Sequence, residues 1–240
     1  MNDPKKNLML YGLIIGVVST AALVSASVSA DGRAASAPSL GRAKRFTVLG
    51  GSTATNTGAT RIAGDVGVSS PGVSVTGFPP GIIARGKQHV GDPAANEAQR
   101  DAQTAYAALA GKACDTPLTG QDLGGKTLTP GVYCFTSSAQ LTGRLVLDGR
   151  NRGNSVFVFQ IASTLVTAPN SAVVLIRHGR AGNVFWQVGS AATLGTGTSF
   201  SGNLVAYSSI TLNTGASLSG RALARAGVTM DNNRMYAPRP

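Results

Sequence analysis

From residue 46 onward, apolar residues tend to recur at every second position, in short runs separated by Gly, Asn, Asp and Ser. That is the period of strands with one face in a core. Residues 46–49 make the first run, which Gly50-Gly51 stops. Residues 52–68 alternate small polar and apolar side chains, with turn signals at Asn56-Thr57-Gly58 and Gly64-Asp65. Ser70-Pro71-Gly72 and Phe78-Pro79-Pro80-Gly81 are breakers that a helix or a central strand does not tolerate. A Thr-Pro-Gly turn at 129–131 leads into Val132-Tyr133-Cys134-Phe135. Further runs occupy residues 141–147, 155–161, 172–176, 183–188, 199–206 and 209–212.

One segment has a different period. Asp92 is a good N-cap, Pro93 suits the first helical position, and Ala-rich sequence runs to Ala110 before Gly111. Ala98, Ala102, Ala105, Tyr106 and Leu109 then fall on one side of a helix over about 93–110, while Glu97, Arg100, Asp101 and Gln103 face elsewhere. A stripe of such small residues suits close packing on a sheet of the same domain.

Strands this short and dense are compatible with a sandwich, a barrel or a solenoid. Internal echoes favour the solenoid. Residues 193–206 (TLGTGTSFSGNLVA) align without gaps on residues 211–224 (TLNTGASLSGRALA), an offset of 18 with eight of fourteen positions identical. Val156-Phe157-Val158-Phe159-Gln160-Ile161 resembles Asn183-Val184-Phe185-Trp186-Gln187-Val188 at an offset of 27. Loops of one kind recur at Asn56-Thr57-Gly58-Ala59-Thr60, Gly195-Thr196-Gly197-Thr198-Ser199 and Asn213-Thr214-Gly215-Ala216-Ser217. Stacked coils would align such loops into a ladder of hydroxyls and methyls on an outer face.

Several of these stretches together resemble the ice-binding-like (antifreeze) β-solenoid family. They include Phe46-Thr47-Val48-Leu49-Gly50-Gly51, Gly64-Asp65-Val66-Gly67-Val68, Val75-Thr76-Gly77-Phe78-Pro79-Pro80-Gly81 and Thr129-Pro130-Gly131-Val132-Tyr133. Leu145-Val146-Leu147-Asp148-Gly149, Val184-Phe185-Trp186-Gln187-Val188, Phe200-Ser201-Gly202-Asn203, Gly220-Arg221-Ala222-Leu223-Ala224 and Val228-Thr229-Met230 follow in order, so the likeness covers about residues 40–236. The resemblance implies a mainly β fold, a right-handed discontinuous β-helix of roughly triangular cross-section with one long helix alongside. It implies N-terminal strands stacked out of sequence order among the C-terminal coils. It also implies adsorption to ice through a flat face, for which some members use a T-(A/G)-x-(T/N) pattern. Thr53-Ala54-Thr55-Asn56 and Thr57-Gly58-Ala59-Thr60 fit that pattern; Thr196-Gly197-Thr198-Ser199 and Thr214-Gly215-Ala216-Ser217 end on Ser instead. The expected contact set is therefore Thr53, Thr55, Thr57, Thr60, Thr196, Thr198, Thr214 and Ser217.

Residues 1–30 read as an export signal. Lys5-Lys6 precede an apolar stretch from Leu8 to Val24, and Val28-Ser29-Ala30 offers a cleavage site. A retained membrane anchor is the rival reading. Cleavage leaves 210 residues, with 31–43 as a flexible lead-in and 44–240 as one domain. Losing two lysines and one aspartate takes the formal charge from +11 to +10.

The basic residues are dispersed and lack the aromatic platform or recognition helix of a nucleic-acid binder, so nucleic acid is not expected. In an exported chain Cys114 and Cys134 pair by default. Two thiols and the distant His89 and His178 make a poor metal site, and no cofactor motif is present. Catalytic motifs are also absent. Asp148 and Asp231 read as turn residues rather than the carboxylate pair of a glycosidase, and Trp186 reads as core.

The expectation is a secreted or periplasmic monomer that binds ice without catalysing a reaction. The alternative is an adhesion or matrix protein on the same scaffold, binding cell-envelope polysaccharide without ice activity, which the basic charge favours.

Overall fold

The computed structural model describes residues 36–71 and 74–238. The expected signal segment 1–30, and with it the rival anchor, lies outside the described residues, as do residues 31–35 of the lead-in. Apart from Pro93–Ala110 and two short 3-10 turns, regular structure among the described residues is β.

Strands pair in parallel throughout, and the pairing resolves into three faces. The first face stacks Gly131–Phe135, Phe157–Ile161, Val184–Val188, the second halves of Ser199–Ala206 and Ser217–Ala224, then Phe46–Gly50 and Asp65–Val68. The second stacks Ala139–Leu141, Leu165–Thr167, Ala192–Leu194, Ile210–Leu212, Gly227–Asp231, Thr53–Thr57 and Ser74–Thr76. The third begins at Thr127–Leu128, continues through Arg144–Asp148, Ala172–Ile176 and the first halves of the two long strands, and ends on Arg234–Tyr236, Arg61–Ala63 and Ile82–Ala84. Among the described residues the second face stacks seven rungs, with Thr116–Pro117, Thr127–Leu128 and Gln88–Val90 adding short rungs at the ends of the other two, and the two N-terminal coils stack beyond the C-terminal one.

The echoes are coil lengths. Register places Ser199 beside Ser217 and Ala206 beside Ala224, the 18-residue offset, and Phe157 beside Val184, the 27-residue offset. Coils with the longer period spend their extra residues on the connections 149–156 and 177–183 between the third and first faces. At the corner within Ser199–Ala206 the chain turns at Gly202 (φ +123°), where a Cβ would stand 2.6 Å from Trp186 Nε1. Only glycine lets the backbone pass over that ring.

Inward side chains fill the solenoid. Tyr133, Phe159, Trp186 and Phe200 form an aromatic ladder through it, with ring centroids 5.4, 3.8 and 4.9 Å apart. Trp186 is fully buried, as its apolar strand predicts.

First-face strands are apolar on both sides because the helix covers them. Ala95, Ala98, Ala102, Ala105 and Leu109 pack on the outward Leu49, Val158, Phe185, Val205 and Leu223. Asp92 caps the helix, accepting from Ala95 N at 2.8 Å, and Gln160 Nε2 donates to Leu109 O at 2.7 Å near its far end. The disulfide Cys114–Cys134, with Cα atoms 5.9 Å apart, ties the segment after the helix to Gly131–Phe135.

The boundary at 44 needs correction. Leu40 and Ala43 are buried within the cluster beneath the helix, and a 3-10 turn spans Gly41–Arg45. Arg42 N donates to Asp101 Oδ2 at 2.7 Å, and the Arg42 side chain pairs with Glu97. Apolar anchors inside a small-polar segment join residues 40–43 to the fold.

Candidate functional site

The three faces present different chemistry. The helix covers the first. The third carries the exposed Arg61 and Arg234 in register, with Ser217 beside Arg234, and Arg144 further along. The second is open and lacks lysine and arginine along its outward strand positions.

On the second face, the alternation of each strand sends Ala54, Val228, Ile210, Leu212, Ala192 and Leu194 into the core and small polar residues outward. The middle outward position reads Thr76, Thr55, Thr229, Thr211, Thr193, Val166, Gln140 across consecutive rungs. Five threonines in a row stand about 4.7–4.9 Å apart, a run of roughly 19 Å. Thr55 Oγ1 donates to Thr229 Oγ1 at 3.4 Å, which fixes neighbouring rotamers. One outward step to either side lie Thr53, Ser74 and Gly227, then Thr57 and Asp231. Rows two residues apart along a strand are about 6.6–6.8 Å apart, so the surface is a two-way grid of hydroxyls and methyls.

Asp231 is an acidic group on the rim of this face. It accepts from Thr214 Oγ1 and, at 3.1 Å, from Asn232 Nδ2. The adjoining corner is stitched rung to rung by backbone bonds: Asn170 N to Thr196 O at 2.8 Å, Gly197 N to Thr214 O and Gly215 N to Asp231 O at 3.1 Å, and Asn232 N to Thr57 O at 3.1 Å. Such stitching holds the edge level.

The residues expected from sequence separate into four places. Thr53 and Thr55 lie on the open face, and Thr57 at its margin. Thr196 and Thr214 are exposed at the corner. Thr60 and Thr198 are wholly buried, and their assignment as contact residues is corrected. Thr60 Oγ1 accepts from Asn233 N at 2.9 Å, and Thr198 Oγ1 pairs with Thr167 Oγ1 at 2.8 Å; both hydroxyls satisfy the inside of the corner. Ser217 belongs to the third face, beside Arg234, and is likewise corrected. Thr76, Thr193, Thr211 and Thr229 were not expected. The signal for them was present: Thr193 and Thr211 open the two echoed segments, and Thr229 follows Thr211 by the same 18 residues.

The aspartates weighed as a catalytic pair belong to different coils. Asp148 is held by Arg177 and Asp231 by Thr214.

The sequence profile of the family described as ice-binding-like matches residues 48–236, most of the chain. The chain belongs to the ice-binding-like family. The ice-binding protein of Nostoc sp. (strain HG1) is 52% identical over 200 residues, covering 83% of this chain and 71% of the relative. The crystal structure of an ice-binding protein from the Antarctic ascomycete Antarctomyces psychrotrophicus superposes with a TM-score of 0.82 at 41% identity, covering 85% of this chain and all of the other. An ice-binding protein from an Antarctic biological consortium gives a TM-score of 0.82 at 46% identity, with 86% and 93% covered. The chain spans 23% of the length of ice-binding protein 1 of Shewanella frigidimarina, with which it shares 33% identity.

Proposed function

We propose that this ice-binding-like protein adsorbs to ice crystals through its second face, as an exported monomer that carries out no reaction, and so slows crystal growth or recrystallisation. The supporting observation is the column Thr76, Thr55, Thr229, Thr211, Thr193 on an open sheet without basic residues. Each threonine offers a methyl that excludes water and a hydroxyl that binds it. Repeated at fixed spacings, the pair holds surface water in positions matching a crystal layer. Each contact is weak, so adsorption rests on many of them presented at once without an ordering cost. The stacked rungs supply that preorganisation. Thr53 and Thr57 extend the contact area, and Thr196 and Thr214 border it.

Partition into slowly growing ice tests this reading. At micromolar concentration the purified protein enters the ice fraction; exclusion into the liquid, as for an inert protein of the same size, counts against the proposal.

A further inference from the structure

The corner where the first face turns into the third carries a cleft of 860 Å³ whose charged lining is of one sign. Lys44, Arg45, Arg180 and Arg221 line it, with no aspartate or glutamate among the lining residues. Arg45 lies 3.6 Å from Asp65, whereas no ion pair among the described residues involves Lys44, Arg180 or Arg221. Arg221 is 5% exposed. Its Nε donates to Lys44 O at 3.0 Å, its Nη1 to Asn203 Oδ1 at 2.9 Å and its Nη2 to Pro238 O at 3.2 Å. All three acceptors are neutral.

Closing the corner does not require that charge. Asn203 occupies the same register one coil earlier and is fully buried. Its amide ties the corner through Gly182 O and Val184 O, both at 3.1 Å. Burying a guanidinium without a counter-charge is costly, and burial lowers the pKa of Arg221 from its ordinary value. Of the five N–H groups of a guanidinium, three have partners among the described residues, which leaves two there for an anion.

We propose that this cleft binds a carboxylate-bearing sugar, alone or within a uronate chain, whose carboxylate meets Arg221 and whose ring lies against the apolar wall. The rigid fork of arginine matches a carboxylate with two parallel hydrogen bonds. The rungs of Val184–Val188, Ser199–Ala206, Ser217–Ala224 and Phe46–Gly50 stack in that order beside the cleft, so it extends roughly 14 Å, more than one inorganic anion fills. Its volume is that of an organic-ligand site. Half-buried Pro38, Leu175 and Pro238 in the lining suit the C–H faces of a sugar ring, and the aromatic in the lining, Phe185, is too buried to stack a nucleobase. This site is separate from the threonine face, so the failure of either proposal leaves the other standing.

Calorimetric titration with oligogalacturonate tests the proposal, with galacturonic acid, neutral glucose oligomers, sodium sulfate and a single-stranded DNA oligonucleotide as the other arms. The account expects oligogalacturonate to bind, more weakly as salt rises, while glucose oligomers do not. Equal affinity for galacturonic acid assigns the cleft to a single sugar; tighter binding of the oligomer assigns it to a chain. The double variant Lys44→Gln/Arg180→Gln, whose side chains make no hydrogen bond within the described fold, weakens binding by roughly ten-fold. Arg221→Lys keeps the charge, loses the fork and also weakens it. The inference is overturned if oligogalacturonate fails to bind, if it binds the double variant as well as the parent protein, or if sulfate or DNA binds equally tightly.

Discussion

Thr55 and Thr229 are 174 residues apart in sequence, yet the hydroxyl of Thr55 donates to that of Thr229 at 3.4 Å on neighbouring rungs of the open face. The contact exists because the strand Thr53–Thr57 stacks on Gly227–Asp231, where the N-terminal coils continue the column begun by the C-terminal ones. Without that out-of-order stacking the threonine column ends at Thr229.

Buried threonines of the corner separate stability from surface activity. Thr198→Val removes the hydroxyl that pairs with Thr167 at 2.8 Å and also bonds Ala168 O at 3.3 Å. The expected loss is about 1–3 kcal/mol of folding stability, read by denaturant unfolding. Ice adsorption per folded molecule stays at the parent level. A variant that unfolds like the parent but adsorbs poorly would place Thr198 on the surface after all.

The disulfide lies on the first face, in a coil two rungs from the end of the threonine column. Cys114→Ser/Cys134→Ser releases a loop of about 20 residues and lowers stability by about 3 kcal/mol in the chain-entropy account. Thermal unfolding registers a lower melting temperature, while adsorption near 0 °C persists. An unchanged melting temperature contradicts this account.

Acid should destabilise the fold through two carboxylates. The Ala95 N–H holds Asp92 below its ordinary pKa, with His89 adding to the effect against a smaller opposing effect of burial. Burial pushes Asp122 up, but bonds from Thr142 N, Gly124 N and the Thr142 hydroxyl together outweigh it and leave its pKa lowered. A carboxylate with a depressed folded pKa contributes stability that is present above its unfolded pKa and is lost as pH falls through the folded value. Melting temperature is therefore expected to hold from neutrality to about pH 4 and to fall below it, less steeply in Asp92→Asn. A decline beginning above pH 5 would point to other groups.

Architecture was largely legible in the sequence. Coil length appears directly as the offsets 18 and 27, because stacked rungs repeat the same inside–outside demands. The helix Pro93–Ala110 was marked at both ends by Asp92 and Gly111. The site was less legible. The loop motif reads as a surface unit, yet its backbone turns a corner, so Thr57 is exposed and Thr60 buried. Which side a residue takes depends on where the strand ends, and strand ends are weakly encoded in runs of Thr, Gly and Ser. Ser217 follows the same logic: it starts the next strand, and the corner moves it onto the face that carries Arg234.

The most direct test of the central claim is the inhibition of ice recrystallisation by Thr211→Tyr, inside the threonine column between Thr229 and Thr193, compared with Ser219→Tyr on the third face. If the column is the adsorbing surface, a tyrosine at 211 breaks its flatness and reduces inhibition by about ten-fold or more, while a tyrosine at 219 leaves it intact. Equal activity of Thr211→Tyr and the parent protein, or a loss confined to Ser219→Tyr, would show that ice is met by another side of the solenoid.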